Sequence, residues 1–422
     1  MTKELICKIS YAKLEGFFLA SIVFLCSFKN KIINGYIPFL PKIQNYLSIG
    51  LLILLIILNF IFCQKIKVKK TTLMLGGFIG VILFSTIIFH RSFNAASANL
   101  FPMLVICLSL DLTNHNRKAF ISYIDTLKYL LMAIVLIDVA TQIIYPNGMY
   151  STIFYDINWF LGYKTERMIY SIPMIIMFYY SSYEKKGYLD RSSFFALILG
   201  IVNAVLSQGT GCSVILLLCG FFTIILNSGK GGKLYKFIVR CLDCRLIFGI
   251  YVAAFFMLVV VEKSEIMAYV AELFGKSPNF SGRTKIWSGC LNIFLKSPLF
   301  GNGYLLTDEY VLLAHFKRAT NAHNSMISII VSGGLIALAF YFAIYFYTLI
   351  KSKKFTKIEM LLTIFVYMIL MLGLTSSIYI FSPFSFLAFW LMEREKTQNR
   401  TNILSDVFTN KRKGRKKIRC SP

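Results

Sequence analysis

The sequence predicts an all-α protein, a polytopic membrane helical bundle of about twelve transmembrane helices with one large helical extracytoplasmic loop. Hydrophobic residues make up 57% of the 422-residue chain, and charged residues make up only 15%. Apolar runs recur at lengths that can cross a bilayer, and one stretch of about sixty residues interrupts them. A soluble domain could not cover so much apolar surface, so the chain is predicted to lie in a membrane.

Twelve apolar runs have the length of a bilayer crossing or come close to it. In chain order they are Ile9–Phe28, Tyr46–Cys63, Leu73–Phe89, Ala98–Leu112, Tyr129–Tyr145, Met168–Tyr183, Ser193–Ser207, Gly211–Asn227, Ile247–Val261, Ser325–Ile350, Ile358–Ser376 and Ile378–Met392. The fourth, seventh and last runs are short. Residues 1–392 are therefore predicted to form one membrane domain, and the polar, basic tail 393–422 is predicted to be cytoplasmic and disordered.

The distribution of Lys and Arg predicts the orientation. With both termini in the cytoplasm, the inner segments carry 31 of the 45 basic residues and the outer segments carry 13. Cytoplasmic loops collect Lys and Arg, so this orientation is strongly favoured over its reverse. Most of the positive charge is therefore explained by topology and contact with membrane lipids. No basic stretch alternates with aromatic residues on a soluble module, which argues against a nucleic-acid partner.

The predicted outer loop spans Glu262 to Asn324 and contains two amphipathic segments. In "EIMAYVAELF" one helical face carries Ile266, Met267, Val270, Leu273 and Phe274. In "TKIWSGCLNIFLK" the corresponding face carries Ile286, Trp287, Leu291, Phe294 and Leu295. Both segments are predicted to be helices that lie at the membrane interface with their apolar faces toward the lipid.

Arg283, in "SGRTKIW", begins the second of these helices. A cation at a helix N-terminus is badly placed for the helix dipole, so Arg283 does not serve as a cap. A guanidinium in this position would suit a phosphate group, which it can hold through two parallel hydrogen bonds. An arginine that reaches up to lipid headgroups is the equally good alternative.

In "SPLFGNGY", Gly301 and Gly303 flank Asn302 just after the helix is expected to end. Glycine permits a positive φ angle and a close approach of the backbone. A tight turn explains both glycines, and a turn that lines a substrate site is also compatible with them.

His323 and Asn324 lie at the start of a long apolar run, in "AHNSMISIIVSGG". The unperturbed pKa of histidine lies near neutrality, so His323 could take a proton from a sugar hydroxyl at physiological pH. On residue type alone, an ordinary hydrogen-bonded histidine at the interface is the favoured alternative. Asn324 could orient His323 or cap the following helix.

The other half of the chain offers further candidates. Gly209 and Gly211 in "LSQGTGCS" allow a tight external turn whose backbone N–H groups could hold an anion. Arg167, in "KTERMIY", is a second possible phosphate ligand or a membrane anchor. Asp138 lies inside an apolar run, where carboxylates are costly and often functional. A pair with Lys128 would span ten residues of one helix, which is too far for direct contact.

The motifs of the outer loop, "SGRTKIW", "SPLFGNGY" and "AHNSMISIIVSGGLIAL", resemble the shared core of the O-antigen ligase and O-antigen polymerase (Wzy) family. That family has a GR-x-x-x-W stretch, a PLFGxG turn, an HN pair and then a helix with a glycine patch. The resemblance is specific from about Gly282 to Leu338. Elsewhere it extends only to the number of helices, the cytoplasmic termini and the position of the loop.

The resemblance implies roles for individual residues. In the family, an arginine of the outer loop binds the lipid diphosphate and the histidine of the HN pair acts as base; these positions match Arg283 and His323. The family usually has another arginine in the turn that corresponds to "LSQGTGCS", where this chain has Thr210 or Gly211. Either Arg167 or the backbone of the turn from Gly209 to Gly211 would then supply the second anion contact.

The function implied is that of a Wzy-type polysaccharide polymerase in a bacterial cytoplasmic membrane. It would join polyprenyl-diphosphate-linked oligosaccharide repeat units into capsular or exopolysaccharide chains, with neither a cofactor nor a metal, since arginines would take the place of magnesium. Other capsule-assembly proteins, such as a flippase and a chain-length regulator, are the expected partners. The motifs fit equally a ligase that moves the glycan to another acceptor. A flippase would require charged residues inside the membrane and an internal repeat, and only Asp138 satisfies the first condition.

Overall fold

The computed structural model describes residues 2–62, 67–152, 157–228, 232–259, 283–313, 321–350, 356–377 and 379–397. In these ranges the chain forms helices and turns, with two isolated antiparallel bridges, Tyr150–Asn158 and Trp159–Gly162. The all-α prediction is therefore confirmed for this part of the chain. The helices are α1 Thr2–Ser27, α2 Lys31–Tyr36, α3 Leu40–Ile61, α4 Lys70–Ile88, α5 Phe93–Thr113, α6 Arg117–Ile144, α7 Met168–Lys186, α8 Arg191–Leu206, α9 Thr210–Ser228, α10 Lys233–Cys241, α11 Cys244–Val259, α12 Arg283–Lys296, α13 Thr307–Leu313, α14 Ser325–Leu349, α15 Lys357–Gly373 and α16 at 387–397.

Six of the described helices are long and apolar enough to cross a membrane, and they support a membrane protein. They are α3, α4, α5, α6, α9 and α14. Helix α8 and residues 244–257 of α11 are apolar but shorter. The first eleven predicted runs overlap α1, α3 to α9, α11, α14 and α15, whereas the last run, Ile378–Met392, becomes helical only at residue 387. Six membrane crossings are thus supported among the described helices, and the total of about twelve stays a prediction.

Polar residues start several of the helices. Ser92, Asn116 and Asp190 each accept a hydrogen bond from a backbone N–H in the first turn of α5, α6 and α8. Thr356 and Glu359 form a reciprocal capping box at the start of α15. These caps satisfy backbone groups at the helix ends, where the intrahelical hydrogen-bond pattern stops.

Small residues bring the helices close together. A Cβ atom on Gly16 of α1 would lie 2.2 Å from the carbonyl oxygen of Ala119 in α6. One on Gly333 of α14 would lie 2.8 Å from Cγ1 of Ile82 in α4. Helix packing in membranes uses small residues in this way.

Helix α14 is broken at Gly334, whose φ of 65° and ψ of −162° are not helical. The chain that follows α12 fills the break, and a Cβ on Gly334 would lie only 2.2 Å from the carbonyl oxygen of Leu299. Backbone hydrogen bonds cross the break in both directions and replace those lost from the helix. They run from Asn302 N to Val331 O (2.7 Å), Gly303 N to Ser332 O (3.0 Å), Leu335 N to Pro298 O (2.9 Å) and Ile336 N to Leu299 O (3.2 Å).

Helix α12 packs on α14 in a small second core. The predicted helix is confirmed, and Ile286 and Trp287 of its expected apolar face are buried. Leu295 of that face is 66% exposed, while Cys290 and Ile293 are buried instead, because the face in contact with α14 is rotated relative to the expected one. The other amphipathic segment, "EIMAYVAELF", lies outside the described residues.

Helix α16 is tied into the bundle beyond residue 392, the last residue of the predicted membrane domain. Arg394 is buried, pairs with Glu184 at 3.1 Å and stacks over the ring of Phe120 at 4.1 Å. Trp390 donates its indole N–H to Asp111 at 3.0 Å. Residues 398–422, which make up most of the predicted tail, lie outside the described residues.

Candidate functional site

A cavity of about 390 Å³ lies where one set of helix ends meets. The end of α1, the first turns of α5 and α14, the loop before α7 and the segment around α13 all contribute to its wall. Its polar side chains include Ser27, Lys29, Lys31, Asn34, Asn99, Glu166, Tyr170, Thr307, Asn321, Ser328, Ser332, Ser377 and Ser382. Many hydroxyl and amide groups with a few charges suit a hydroxyl-rich or anionic ligand.

His323 is next to this cavity through Asn321, which lines it. The side-chain oxygen of Asn321 accepts hydrogen bonds from the backbone N–H of His323 and from the hydroxyl of Ser377, each at 2.7 Å. His323 has a φ of 47°, in the left-handed region that side chains other than glycine rarely adopt. Residues held in such conformations cluster at functional sites.

The structure brings Arg283 to His323 across forty residues of sequence. Arg283 is the first residue of α12. One turn later, Trp287 donates its indole N–H to the carbonyl oxygen of Ala322 at 3.0 Å, which fixes the start of α12 beside His323.

This neighbourhood sets the protonation state of His323. Burial, and then the positive charge of Arg283, lower the pKa of the imidazole from 6.5 to about 4. At neutral pH the ring is therefore uncharged and has a free nitrogen lone pair, but the lowered pKa makes it a weaker base than an ordinary imidazole. The pairing of Arg283 with His323 was expected from the sequence motifs, whereas the direction of the pKa change was not.

Asn324 acts as a helix cap. It is fully buried, its side-chain oxygen accepts from the N–H of Ile327 at 3.2 Å, and its amide nitrogen donates to Leu374 O at 3.1 Å. Of the two roles considered for it, capping is confirmed. Both ends of its amide are engaged inside the protein, and substrate binding by Asn324 stays a prediction.

The turn at Gly301, Asn302 and Gly303 is also structural. Both glycines have a positive φ, 71° and 79°, and the backbone of the turn bridges the break in α14. The side chain of Asn302 donates to Ile293 O at 2.8 Å. None of the three residues is among the residues that line the cavity, whereas the next residue, Tyr304, is, and substrate binding by the turn stays a prediction.

Arg167 is fully buried in a polar cluster with Asp138. Their side chains form an ion pair at 3.4 Å. Arg167 also donates to Gly162 O at 3.2 Å and lies 4.9 Å from the ring of Trp159. As expected, Lys128 does not pair with Asp138; it pairs with Asp125 at 2.7 Å. The predicted phosphate ligand Arg167 is therefore engaged with Asp138, and it is not among the cavity-lining residues.

The Arg167–Asp138 pair holds one wall of the cavity. Asp138, in α6, also accepts from the backbone N–H of Leu161 at 2.7 Å. Leu161, Gly162 and Glu166 line the cavity. The buried pair thus anchors the loop before α7 to the bundle, and the fully buried Arg167 is not exposed as a membrane anchor would be.

The turn between α8 and α9 lies against this same loop. A Cβ on Gly209 would lie 3.4 Å from Lys164 O, and Gln208 has a positive φ of 56°. Thr210 and Gly211 are exposed. The cavity lining includes none of the three candidates Gly209, Thr210 and Gly211, so anion binding by this turn stays a prediction.

Two lysines in the cavity were missed by the sequence analysis. Lys29 donates to Ala98 O at 2.5 Å and to Asn99 Oδ1 at 3.3 Å, and Lys31 pairs with Glu166 at 2.7 Å. The sequence feature that could have identified them is the string "KNK", which directly follows the first apolar run. Two lysines so close together stand out in a segment predicted to lie on the outer side, which carries fewer basic residues than the inner side.

The arrangement supplies a neutral imidazole beside a guanidinium at the edge of a polar cavity. The imidazole can accept a proton, and the guanidinium can hold an anion. Among the described residues, no three His, Cys, Asp or Glu side chains are grouped to hold a metal ion.

A family model described as O-antigen ligase matches residues 195–342. The matched segment runs from α8 into α14 and contains Gly209–Gly211, Arg283, the 301–303 turn and the pair His323 and Asn324. Arg167 and Lys29 lie outside it. No curated protein and no solved structure shows significant similarity to the chain.

Proposed function

We propose that this membrane protein, whose residues 195–342 match the O-antigen ligase family model, belongs to that family and carries out the reaction of a Wzy-type polysaccharide polymerase. Enzymes of this family transfer glycans that are linked to lipids. The polymerase would join polyprenyl-diphosphate-linked oligosaccharide repeat units into capsular or exopolysaccharide chains. The observation that carries the proposal is the neutral His323 held near Arg283, next to a polar cavity whose lining includes Asn321 but neither His323 nor Arg283.

The transfer takes place in one displacement. His323 accepts the proton of an acceptor hydroxyl, and the oxygen attacks the anomeric carbon of the donor glycan. The bond between that carbon and the diphosphate oxygen breaks, and polyprenyl diphosphate leaves with the electron pair. Arg283 stabilises the negative charge that grows on the leaving oxygen, so the reaction needs neither a metal nor another cofactor.

The cavity is proposed to face the outer side of a bacterial cytoplasmic membrane. The residues that line the cavity all lie at or near helix ends that the predicted topology places on the outer side. The distribution of Lys and Arg favours cytoplasmic termini. A donor presented from the outer leaflet would then hold its diphosphate at the depth of the headgroups, where Arg283 and His323 lie at helix starts. A flippase would supply the donor, and a chain-length regulator would end elongation.

The direct test is elongation of a purified polyprenyl-diphosphate-linked repeat unit by the purified protein. His323→Asn removes the base while keeping a residue that accepts the left-handed backbone. We expect the rate to fall by about a hundredfold or more, on the order of the contribution of a general base.

His90 provides a matched control. It is also a histidine with a positive φ, 52°, but it is exposed, whereas His323 is half-buried and its backbone bonds to Asn321 of the cavity lining. His90→Asn is expected to elongate at the normal rate. If His323→Asn is as active as His90→Asn, His323 is not the base.

A ligase is the second candidate, because the matching family model carries that description. The two reactions differ only in the acceptor, a second lipid-linked repeat unit or a different anchor. Deletion in the producing cells separates them: loss of a polymerase leaves single repeat units at the surface, and loss of a ligase leaves polymer on its lipid carrier. A flippase mutant would display neither.

A further inference from the structure

We propose that Lys29 binds an anionic oxygen group of the substrate, a phosphate or a carboxylate, inside the cavity. The proposal rests on the proposed function and adds a cationic position that lies outside the segment matched by the family model. Lys29 follows α1 and lines the cavity together with Ala98 and Asn99 of α5.

The position of Lys29 is fixed by its neighbours. The hydroxyl of Tyr170 donates to Lys29 O at 3.2 Å and lies 3.3 Å from the Lys29 backbone nitrogen, which donates to it. Asn30, the next residue, caps α2 and donates its side-chain amide to Phe160 O at 2.8 Å. The lysine is therefore held at a defined place in the wall, unlike a lysine on a free surface loop.

The ammonium group of Lys29 is incompletely used. It has three hydrogen-bond donors and gives two of them to neutral acceptors, Ala98 O and Asn99 Oδ1. The amide of Asn99 donates to Ala95 O at 2.9 Å, which leaves its oxygen facing Lys29. One further donor remains for a ligand.

Lys29 also lacks a carboxylate partner within the part of the chain that the structure describes. The nearest acidic side chain of the cavity wall, Glu166, pairs with Lys31 at 2.7 Å and accepts from the N–H of Tyr163 at 3.1 Å. Burial lowers the pKa of Lys29 to about 8. A partly desolvated, uncompensated cation in a cavity is stabilised by an arriving anion, so the site favours negatively charged ligands.

Lys29 and His323 lie on different sides of the cavity. Lys29 lines the side formed by α1, α5 and α7, whereas His323 lies behind the opposite side, where its backbone bonds to the cavity-lining Asn321 before α14. The cationic side chains that line the cavity, Lys29 and Lys31, both follow α1. The anion that Lys29 binds can come from two parts of the substrate: the diphosphate common to every donor, or an acidic sugar of particular repeat units.

The test measures binding to the full-length protein in detergent without an acceptor, so that it does not depend on turnover. Three probes are compared: polyprenyl diphosphate alone, the same lipid with a neutral disaccharide, and the same lipid with a disaccharide that contains a uronic acid. Lys29→Met removes the charge and keeps most of the side-chain volume. Lys42→Met, at an exposed lysine outside the cavity lining, is the matched control.

Removing Lys29 should weaken binding roughly tenfold or more, as expected for a hydrogen bond to a charged group. Weaker binding of all three probes assigns Lys29 to the diphosphate, and weaker binding of the uronic acid probe alone assigns it to the glycan. Wild-type affinity of Lys29→Met for all three probes overturns the proposal. If Lys29→Met binds the probes more weakly but the parent protein itself does not elongate the repeat unit, the polymerase reaction is rejected and the anion site remains supported.

Discussion

The low pKa of His323 has a direct consequence for the pH dependence of transfer. A base acts in its unprotonated form, and at pH 5.5 an imidazole with a pKa of about 4 is roughly 97% unprotonated. An imidazole with the ordinary pKa of 6.5 would be only about 9% unprotonated at that pH. Lowering the pH from 7.5 to 5.5 should therefore leave the rate nearly unchanged, whereas an unperturbed base would lose about tenfold.

The measurement is kcat/KM for the donor from pH 4 to pH 8, because this ratio reports the pKa of the unliganded protein; return to pH 7.5 shows that acid has not inactivated the protein. We expect a plateau down to about pH 5 and an acid limb close to pH 4, the pKa of His323. A reversible tenfold fall with a midpoint near pH 6.5 would mean that the base is solvated and far from Arg283, contrary to the structure.

Three further predictions concern the backbone, the arginine and the topology. Gly334→Ala should destabilise the protein by more than about 2 kcal/mol, because alanine disfavours a φ of 65° and its Cβ would lie 2.2 Å from Leu299 O. Thermal unfolding in detergent measures the effect, and Gly76→Ala, where a Cβ meets open space, should unfold like the parent. Arg283→Lys should lose most elongation activity although the charge is kept, because lysine cannot bind a phosphate through two parallel hydrogen bonds. A normal rate of elongation would mean that Arg283 only contacts lipid headgroups. A membrane-impermeant thiol reagent should label a cysteine at Ser281 and miss one at Ser352, and the opposite pattern would reverse the topology.

Helix positions could be predicted because their signals are local. An apolar run of sufficient length forms a helix wherever it lies in the bilayer, since backbone groups there must bond within the segment. For example, the predicted run Leu73–Phe89 corresponds to α4, Lys70–Ile88. Arg283 and His323 were singled out differently, through the resemblance of the outer-loop motifs to a known family, because residue type and spacing alone left both with an ordinary alternative.

The features that were missed depend on contacts between distant parts of the chain. Lys29 enters the cavity because α1 ends beside α5, seventy residues later in the sequence. Arg167 reaches Asp138 only when the loop before α7 folds onto α6. Each of these charges has an ordinary explanation when viewed alone, as a topological signal or a membrane anchor, and only the packed bundle decides between the explanations.

The break at Gly334 lies in α14, the helix that follows His323, and it contributes to how Arg283 and His323 are held. Helix α12 carries Arg283 at its start and leads directly into the turn that fills the break at Gly334. Helix α14 follows His323 and is joined to α12 twice, through Trp287 and Ala322 at one end and through that turn at the other. Two separated attachments prevent one helix from sliding or rotating against the other. The helix start that carries Arg283 and the segment that carries His323 are thus held together before substrate arrives, and such preorganisation favours a displacement at a single carbon.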